Sequence, residues 1–230
     1  MVDIVTQYWH VFLVGRYPNG PLGGLALTII IAALSITLAL PVALALALAR
    51  ISAWRWLARL AAAVVWVIRG IPLMMLIFWA YFVIPKILGQ AMSGFSTLVA
   101  ALVIYQAAYM SEVIRGGILA IPQGQAEAAR SLGARYSTVM FKVVLPQALV
   151  NVIPGLTNQL VAIIKETSLG YVISVNELTF SANVVNNLLL TRPLEVFSIL
   201  ALMYFTLCFA LSRGIKALDK FIHSSRGIKV

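Results

Sequence analysis

The chain is 230 residues long, 62% hydrophobic and only 10% charged, against about 25% charged residues in an average soluble domain. That balance excludes a soluble globular enzyme and predicts an all-α integral membrane protein with its charges confined to loops. The net charge of +10, from 17 Lys and Arg against 7 Asp and Glu, does not point to nucleic acid, because the cations are strung along loop ends and no basic, aromatic face gathers them.

Residues 1–23 carry Asp3 and Arg16 and close in Pro18-Asn19-Gly20-Pro21, a turn signal. The uncharged run from Gly24 to Ala49 exceeds the ~20 residues that cross a bilayer. It is too long for a signal-peptide core, so it is expected to stay in the membrane as the first span. Pro41 inside it predicts a kink, and Thr28, Ser35 and Thr37 are small enough to face other helices. Arg50, Arg55 and Arg59 mark the loop that follows. The second span, about 60–85, holds one charge, Arg69, in Arg69-Gly70-Ile71-Pro72. From Leu57 to Arg69 is ~18 Å of helical rise, which puts Arg69 near mid-depth. Gly70 and Pro72 weaken the helix there. An intramembrane Arg beside a helix break is either part of a transport path, with Pro72, or a structural cation satisfying carbonyls or a carboxylate.

Pro85, Lys86, Gly89 and Gly94 mark a loop, and the third span runs over about 95–117 with Gln106, Ser111, Glu112 and Arg115 toward its end. Glu112 and Arg115 are three apart on one helix face and are expected to pair, either structurally or along the path. Then comes Gln125 to Pro146, dense in Arg, Lys, Ser and Gln between two apolar runs. Helix formers fill 125–132, Gly133 is placed to stop that helix, and Ser137 is placed to cap a second turn. A short helix, a sharp turn and a re-entry into the membrane make a knob that a soluble partner can grip. The fourth span starts near Pro146, bends at Pro154 and meets Lys165-Glu166-Thr167-Ser168-Leu169-Gly170. Lys165 lies ~24 Å of helix past Leu149, in the outer half of the membrane or at its surface. Adjacent residues on a helix do not share a face, so Lys165 and Glu166 each need another partner. Beyond Gly170, Asn176, Glu177, Asn183, Asn186 and Asn187 interrupt an apolar stretch that either dips into a water-lined cavity or lies on the outer surface as a gate. The last span, about 194–212, ends in Arg213, Lys216 and a basic tail.

The loops set an orientation. Segments 50–59, 115–142 and 213–229 hold three, four and five Lys/Arg, and the positive-inside rule then gives five spans with the N-terminus outside and the 122–146 loop and C-terminus in the cytoplasm. The single cysteine, Cys208, lies in an apolar run, and His10 and His223 stand near opposite ends of the sequence; neither a disulfide framework nor a metal site is expected. No Gly-rich loop ends in Gly-Lys-Ser/Thr, so the chain is not expected to cradle ATP phosphates or to carry catalytic residues of its own.

Glu127-Ala128-Ala129, Gly133, and Leu145-Pro146 stand at the spacing of the EAA loop of ABC importer permeases, with Val143 where that family usually has Ile. From about Gly20 onward the chain resembles the polar amino acid permeases of ABC importers, on Arg69-Gly70-Ile71-Pro72-Leu73, Ala108-Tyr109 through Glu112, Arg115-Gly116-Gly117 and Lys165-Glu166-Thr167-Ser168-Leu169. The resemblance implies the type I importer fold over 24–216, a periplasmic segment 1–23 and a cytoplasmic tail 217–230. It implies a second permease subunit, the same or homologous, a pair of ATP-binding subunits that bring ATP and Mg, and a periplasmic or lipid-anchored substrate-binding protein, all at the bacterial inner membrane. It implies ATPase coupling through Glu127, Ala128, Ala129, Gly133, Leu145 and Pro146. Arg69, Pro72, Gln106, Glu112, Lys165, Glu166, Thr167 and Ser168 are the candidates for the substrate path. The expected ligands are glutamate, aspartate or glutamine. The competing readings are an ion-coupled secondary transporter using Glu112 or Glu166, a membrane scaffold, and an ABC permease for another small solute.

Overall fold

In the computed structural model, which describes residues 1–225, the chain is helical from end to end. Helix α1 covers Val2–Val14, α2 Gly24–Arg50 and α3 Arg55–Gly70; α4 follows as Leu73–Ile87 and α5 as Gly94–Leu119. A short α6, Gln123–Ser131, leads to α7, Tyr136–Asn151, and α8, Ile153–Ile173. Helix α9, Leu178–Leu189, precedes α10, Pro193–Ser225.

Three helices, α2, α5 and α10, are long and apolar enough to cross a bilayer unaided. The pairs α3–α4 and α7–α8 qualify only as bent units, turned by 99° and 56° at their breaks, and counting each as one span gives the expected five. The first break falls at Ile71-Pro72, where Gly70 and Pro72 were expected to weaken the helix. The second falls at Val152, two residues before Pro154. Prolines elsewhere act differently. Pro85 and Pro146 each follow a π-helical stretch, Trp79–Val83 and Val139–Val144, a widened turn that makes room where a proline ring would meet the carbonyl four residues back. Pro41 causes no break at all: α2 runs unbroken through it for 27 residues.

Helices α2 and α5 share the most extensive contact in the molecule. Ala39, Ala43 and Ala47 are fully buried along one stripe of α2, and small residues at that spacing let two backbones approach without large side chains between them. Leu98 and Leu102 of α5 join Ile31 of α2 and Ile163 of α8 in one core cluster. Ala107, Met110 and Ile114 join the alanine stripe and Val144, Leu145 and Ala148 of α7 in another. Gly117 sits where α5 meets the α7–α8 junction, and a Cβ there would overlap Val152.

Several expectations need correction. Residues 2–14 form a helix whose Ile4 and Phe12 pack with Leu178, Val185 and Val196, where the sequence reading found only a segment ending in a turn. Thr37 bonds the Ala33 carbonyl of its own backbone but is exposed on this chain, where packing against a helix was expected. Ser137 caps nothing, because α7 begins at Tyr136 with Arg135 before it. The last helix continues past the expected span to Ser225, so Arg213, Lys216 and Lys220 stand on helix; Arg226 and Lys229 lie outside the described residues.

Candidate functional site

Two places in this framework carry the polar chemistry. The first is the knob. Pro122 opens α6, and Gly133 closes it with φ +79°. The Gly133 N–H donates to the Arg130 carbonyl (2.8 Å) and the Ala134 N–H to the Ala129 carbonyl (3.2 Å). That pair of bonds is the Schellman stop, and glycine adopts the left-handed backbone without a Cβ penalty. Ala126, Ala129 and Ala134 pack inward against the α2–α5–α7 core. Glu127, Ala128 and Arg130 are exposed, and Leu132 is 89% exposed at the tip. Arg130 stacks over Tyr136 at 5.9 Å, and Gln147 Nε2 of α7 donates to Gln125 Oε1 of α6. The expected coupling residues therefore divide. Glu127 and Ala128 face out, whereas Ala129 is half-buried against the core. Leu145 is buried in the core, and Pro146, which follows the π-helical stretch of α7, is exposed.

The second place is a ladder along α5. Gln106, nearly fully buried, donates through Nε2 to Glu166 Oε2 on α8. Tyr105 and Tyr109 pack with ring centroids 4.8 Å apart and planes tilted by 38°, and the Tyr105 hydroxyl donates to that of Tyr109 at 3.2 Å. Arg69, from the end of α3, lies over the Tyr109 ring at 5.1 Å. Below it Glu112 meets three cations: Arg50 of α2 in direct contact, Arg115 at 3.0 Å and Arg69 at 4.0 Å. Gln106 to Glu112 is ~9 Å of helical rise. The ladder thus descends from a carboxylate with a carboxamide, past two aromatic rings, to a cluster of guanidinium groups.

Sequence reasoning singled out Arg69, Gln106, Glu112 and Glu166, and the fold brings all four to this ladder. The Glu112–Arg115 pair is present as expected, but Arg50, read only as a loop cation, is the partner that reaches Glu112 from another helix. Lys165 is exposed and forms no salt bridge with Glu166 among the described residues. Thr167 and Ser168 bond the carbonyls of Ile164 and Lys165, three residues back, where α8 tightens into its 3₁₀ stretch Thr167–Ile173; Pro72 is exposed at the α3–α4 break. Tyr105 escaped notice, and Tyr109 enters the sequence reading only within the Ala108–Glu112 motif. Tyr105, Tyr109 and Glu112, at i, i+4 and i+7, lie on one face of a helix, the signal that could have found the pair. Glu177, read only as a polar interruption of an apolar stretch, has a definite structural place. It is fully buried and accepts from the N–H groups of Thr179 (2.8 Å) and Phe180 (2.9 Å) at the start of α9, and from Tyr204 Oη of α10 (3.0 Å).

A multi-pass helical chain with a polar ladder inside and a rigid knob outside defines a membrane transport subunit. The chain belongs to the family described as the binding-protein-dependent transport system inner membrane component, whose model matches residues 39–224. It is 34% identical over 198 residues to the probable glutamine ABC transporter permease protein GlnP of Bacillus subtilis, covering 85% of this chain and 90% of that one. It is 35% identical over 207 residues to the arginine transport system permease protein ArtQ of the same organism, covering 89% and 93%. The solved structure of an amino acid ABC transporter with histidines superposes with a TM-score of 0.83 at 30% identity, over 94% of this chain and 95% of that one. The fold is that of the type I ABC importer permeases, and among them the chain stands with the amino acid permeases.

Proposed function

We propose that this chain is the pore-forming subunit of an ATP-driven importer of polar amino acids in the bacterial inner membrane. It holds no ATP itself. ATP and Mg belong to a pair of separate ATPase subunits that grip the α6 knob, a second permease subunit completes the pore, and a periplasmic or lipid-anchored binding protein delivers the ligand. The orientation that puts the knob in the cytoplasm rests on the Lys/Arg-rich loops. In this arrangement residues 1–23 lie on the periplasmic side, 24–216 form the permease and the end of α10 is cytoplasmic.

The observation that carries the reading is the Gln106–Glu166 pair inside a membrane chain, one helix turn from Tyr109 and Arg69. A zwitterion crossing a low-dielectric interior needs an acceptor for its ammonium and donors for its carboxylate. Glu166 is the acceptor. A carboxylate there disfavours an acidic side chain, so among the three expected ligands glutamine fits better than glutamate or aspartate.

The assay is uptake of labelled glutamine and glutamate into proteoliposomes holding the whole complex, with its binding protein outside and ATP inside. Uptake should require enclosed ATP and persist when proton and sodium gradients are collapsed, and Glu166→Gln should lower glutamine uptake. Uptake that follows an ion gradient without ATP would establish the secondary transporter instead.

A further inference from the structure

We propose that the groove beneath α1 holds one acyl chain of an outer-leaflet phospholipid whose head group carries an ammonium. The groove lies away from the α5 ladder, and the proposal does not depend on which solute the chain carries.

The placement of α1 comes first. At one end Met1 contacts Glu195 at the start of α10; at the other, a Cβ on Gly24, the first residue of α2, would strike the Phe12 carbonyl. With the α6 knob in the cytoplasm, the starts of α2 and α10 are their outer ends, so α1 bridges the outer ends of two spans. Ile4 and Phe12 pack on α9 and α10. Val2, Val5, Trp9 and Leu13 fall on an adjoining face of the helix and stay open, with Trp9 57% exposed. Tryptophan is a residue of the membrane–water boundary, where its ring sits at head-group level. Under that face lies a groove of about 790 Å³, walled by α10 from Ile199 to Ala210. Those positions span ~16 Å of helical rise, about half of a ~30 Å hydrocarbon core. The groove is one leaflet deep.

The lining selects a hydrocarbon. Its hydroxyls are spent within their own helices: Thr6 Oγ1 donates to the Asp3 carbonyl at 3.0 Å and Thr206 Oγ1 to the Leu202 carbonyl at 2.7 Å. A polar solute therefore meets no free hydroxyl proton and no charged side chain to offset its desolvation. A partner helix in a membrane is held by small residues and polar contacts, whereas Val5, Trp9, Leu13, Leu202 and Met203 dominate these walls. A flexible acyl chain suits such a cleft. The mouth selects the head group. Arg192 gives Nε and Nη2 to Glu195 at 2.7 and 2.8 Å, which leaves Nη1 without a partner among the described residues and able to meet a phosphate. Glu195, and more weakly Asp3 of α1, holds the Arg192 guanidinium above its ordinary range. Two carboxylates thus flank the phosphate position, and they favour a head group bearing an ammonium over an anionic one.

The test is native mass spectrometry of the intact complex, delipidated in detergent and then exposed to phosphatidylethanolamine or phosphatidylglycerol. Wild type should retain one phosphatidylethanolamine per copy of this chain, with about a threefold preference over phosphatidylglycerol, the scale of an exposed ion pair. Asp3→Asn should bring that ratio close to one. Ala210→Trp, and Thr6→Phe from the facing wall, should each fill the groove and cut retention about tenfold, the loss of roughly two buried methylenes. Because these substitutions lie on different helices, a folding defect in one leaves the other to report. Phosphatidylethanolamine brominated along its chains should quench the part of the fluorescence that is missing in Trp9→Phe, which places the chain in the groove. Equal retention of the two lipids by wild type, full retention by both filled variants, or a Trp9 signal indifferent to bromine would each overturn the proposal. A Val5→Cys chain that cross-links to a second permease subunit would give the groove to a protein and overturn it too.

Discussion

Glu177 shows how much one side chain can hold in this fold. Its carboxylate accepts from two N–H groups that α9 cannot satisfy within itself and from the Tyr204 hydroxyl. Next to it the Leu178 N–H donates to Thr28 Oγ1 of α2 at 3.1 Å, and the Gly24 N–H to the Asn176 carbonyl at 2.9 Å. Three helices thus meet at one buried acid. Glu177→Ala orphans the Thr179 and Phe180 N–H groups and leaves the Tyr204 hydroxyl only Thr179 Oγ1, each orphan costing about 1–3 kcal/mol when buried, so the variant should melt well below wild type in detergent, by the loss of a monodisperse chromatographic peak on heating. Glu177→Gln keeps an acceptor and should fall between the two; an alanine variant as stable as wild type would remove Glu177 from this role. The acid was legible only as a polar interruption in an apolar stretch, because its partners come from α2 and α10, far away in sequence. Arg69 and Glu166 were legible because an ionisable group in a membrane span is conspicuous alone.

At the scale of elements, what was legible followed from local chemistry. The α6 stop at Gly133 needs only its own last turn, and the break at Gly70-Pro72 only its own backbone, so both were read correctly. Pro41 lies inside α2, which carries it without interruption. The α1 helix was invisible because its stability comes from Ile4 and Phe12 packing on α9 and α10, not from a strong propensity pattern. Gly117 belongs to the same class of tertiary constraints. A side chain there collides with Val152 and crowds the Ala148 carbonyl. Gly117→Val should therefore separate α5 from the α7–α8 junction at a cost of about 1–3 kcal/mol, read as a lower melting temperature and weaker co-purification of the ATPase. Normal stability and assembly would show that the junction can open without loss.

For the whole molecule, the α6 knob and the α5 ladder are parts of one packed body. Ala126 and Ala129 of the knob rest on the same core as Ala107, Met110 and Ile114 of α5, and Gln147 ties α7 to α6. A displacement of the knob by an ATPase is therefore passed through close-packed side chains to the helix that carries Gln106, Tyr109 and Glu112. That lever is the central claim of the account. It is tested most directly by measuring ATP hydrolysis and amino acid uptake on the same proteoliposomes, for wild type and for Gly133→Pro, which cannot adopt the φ of +79° that closes the knob. Wild type should couple the two, with hydrolysis stimulated by the loaded binding protein. The variant should insert normally yet lose uptake by about tenfold or more, the effect of roughly 1.4 kcal/mol on a barrier. Uptake at the wild-type rate in the variant would contradict the claim.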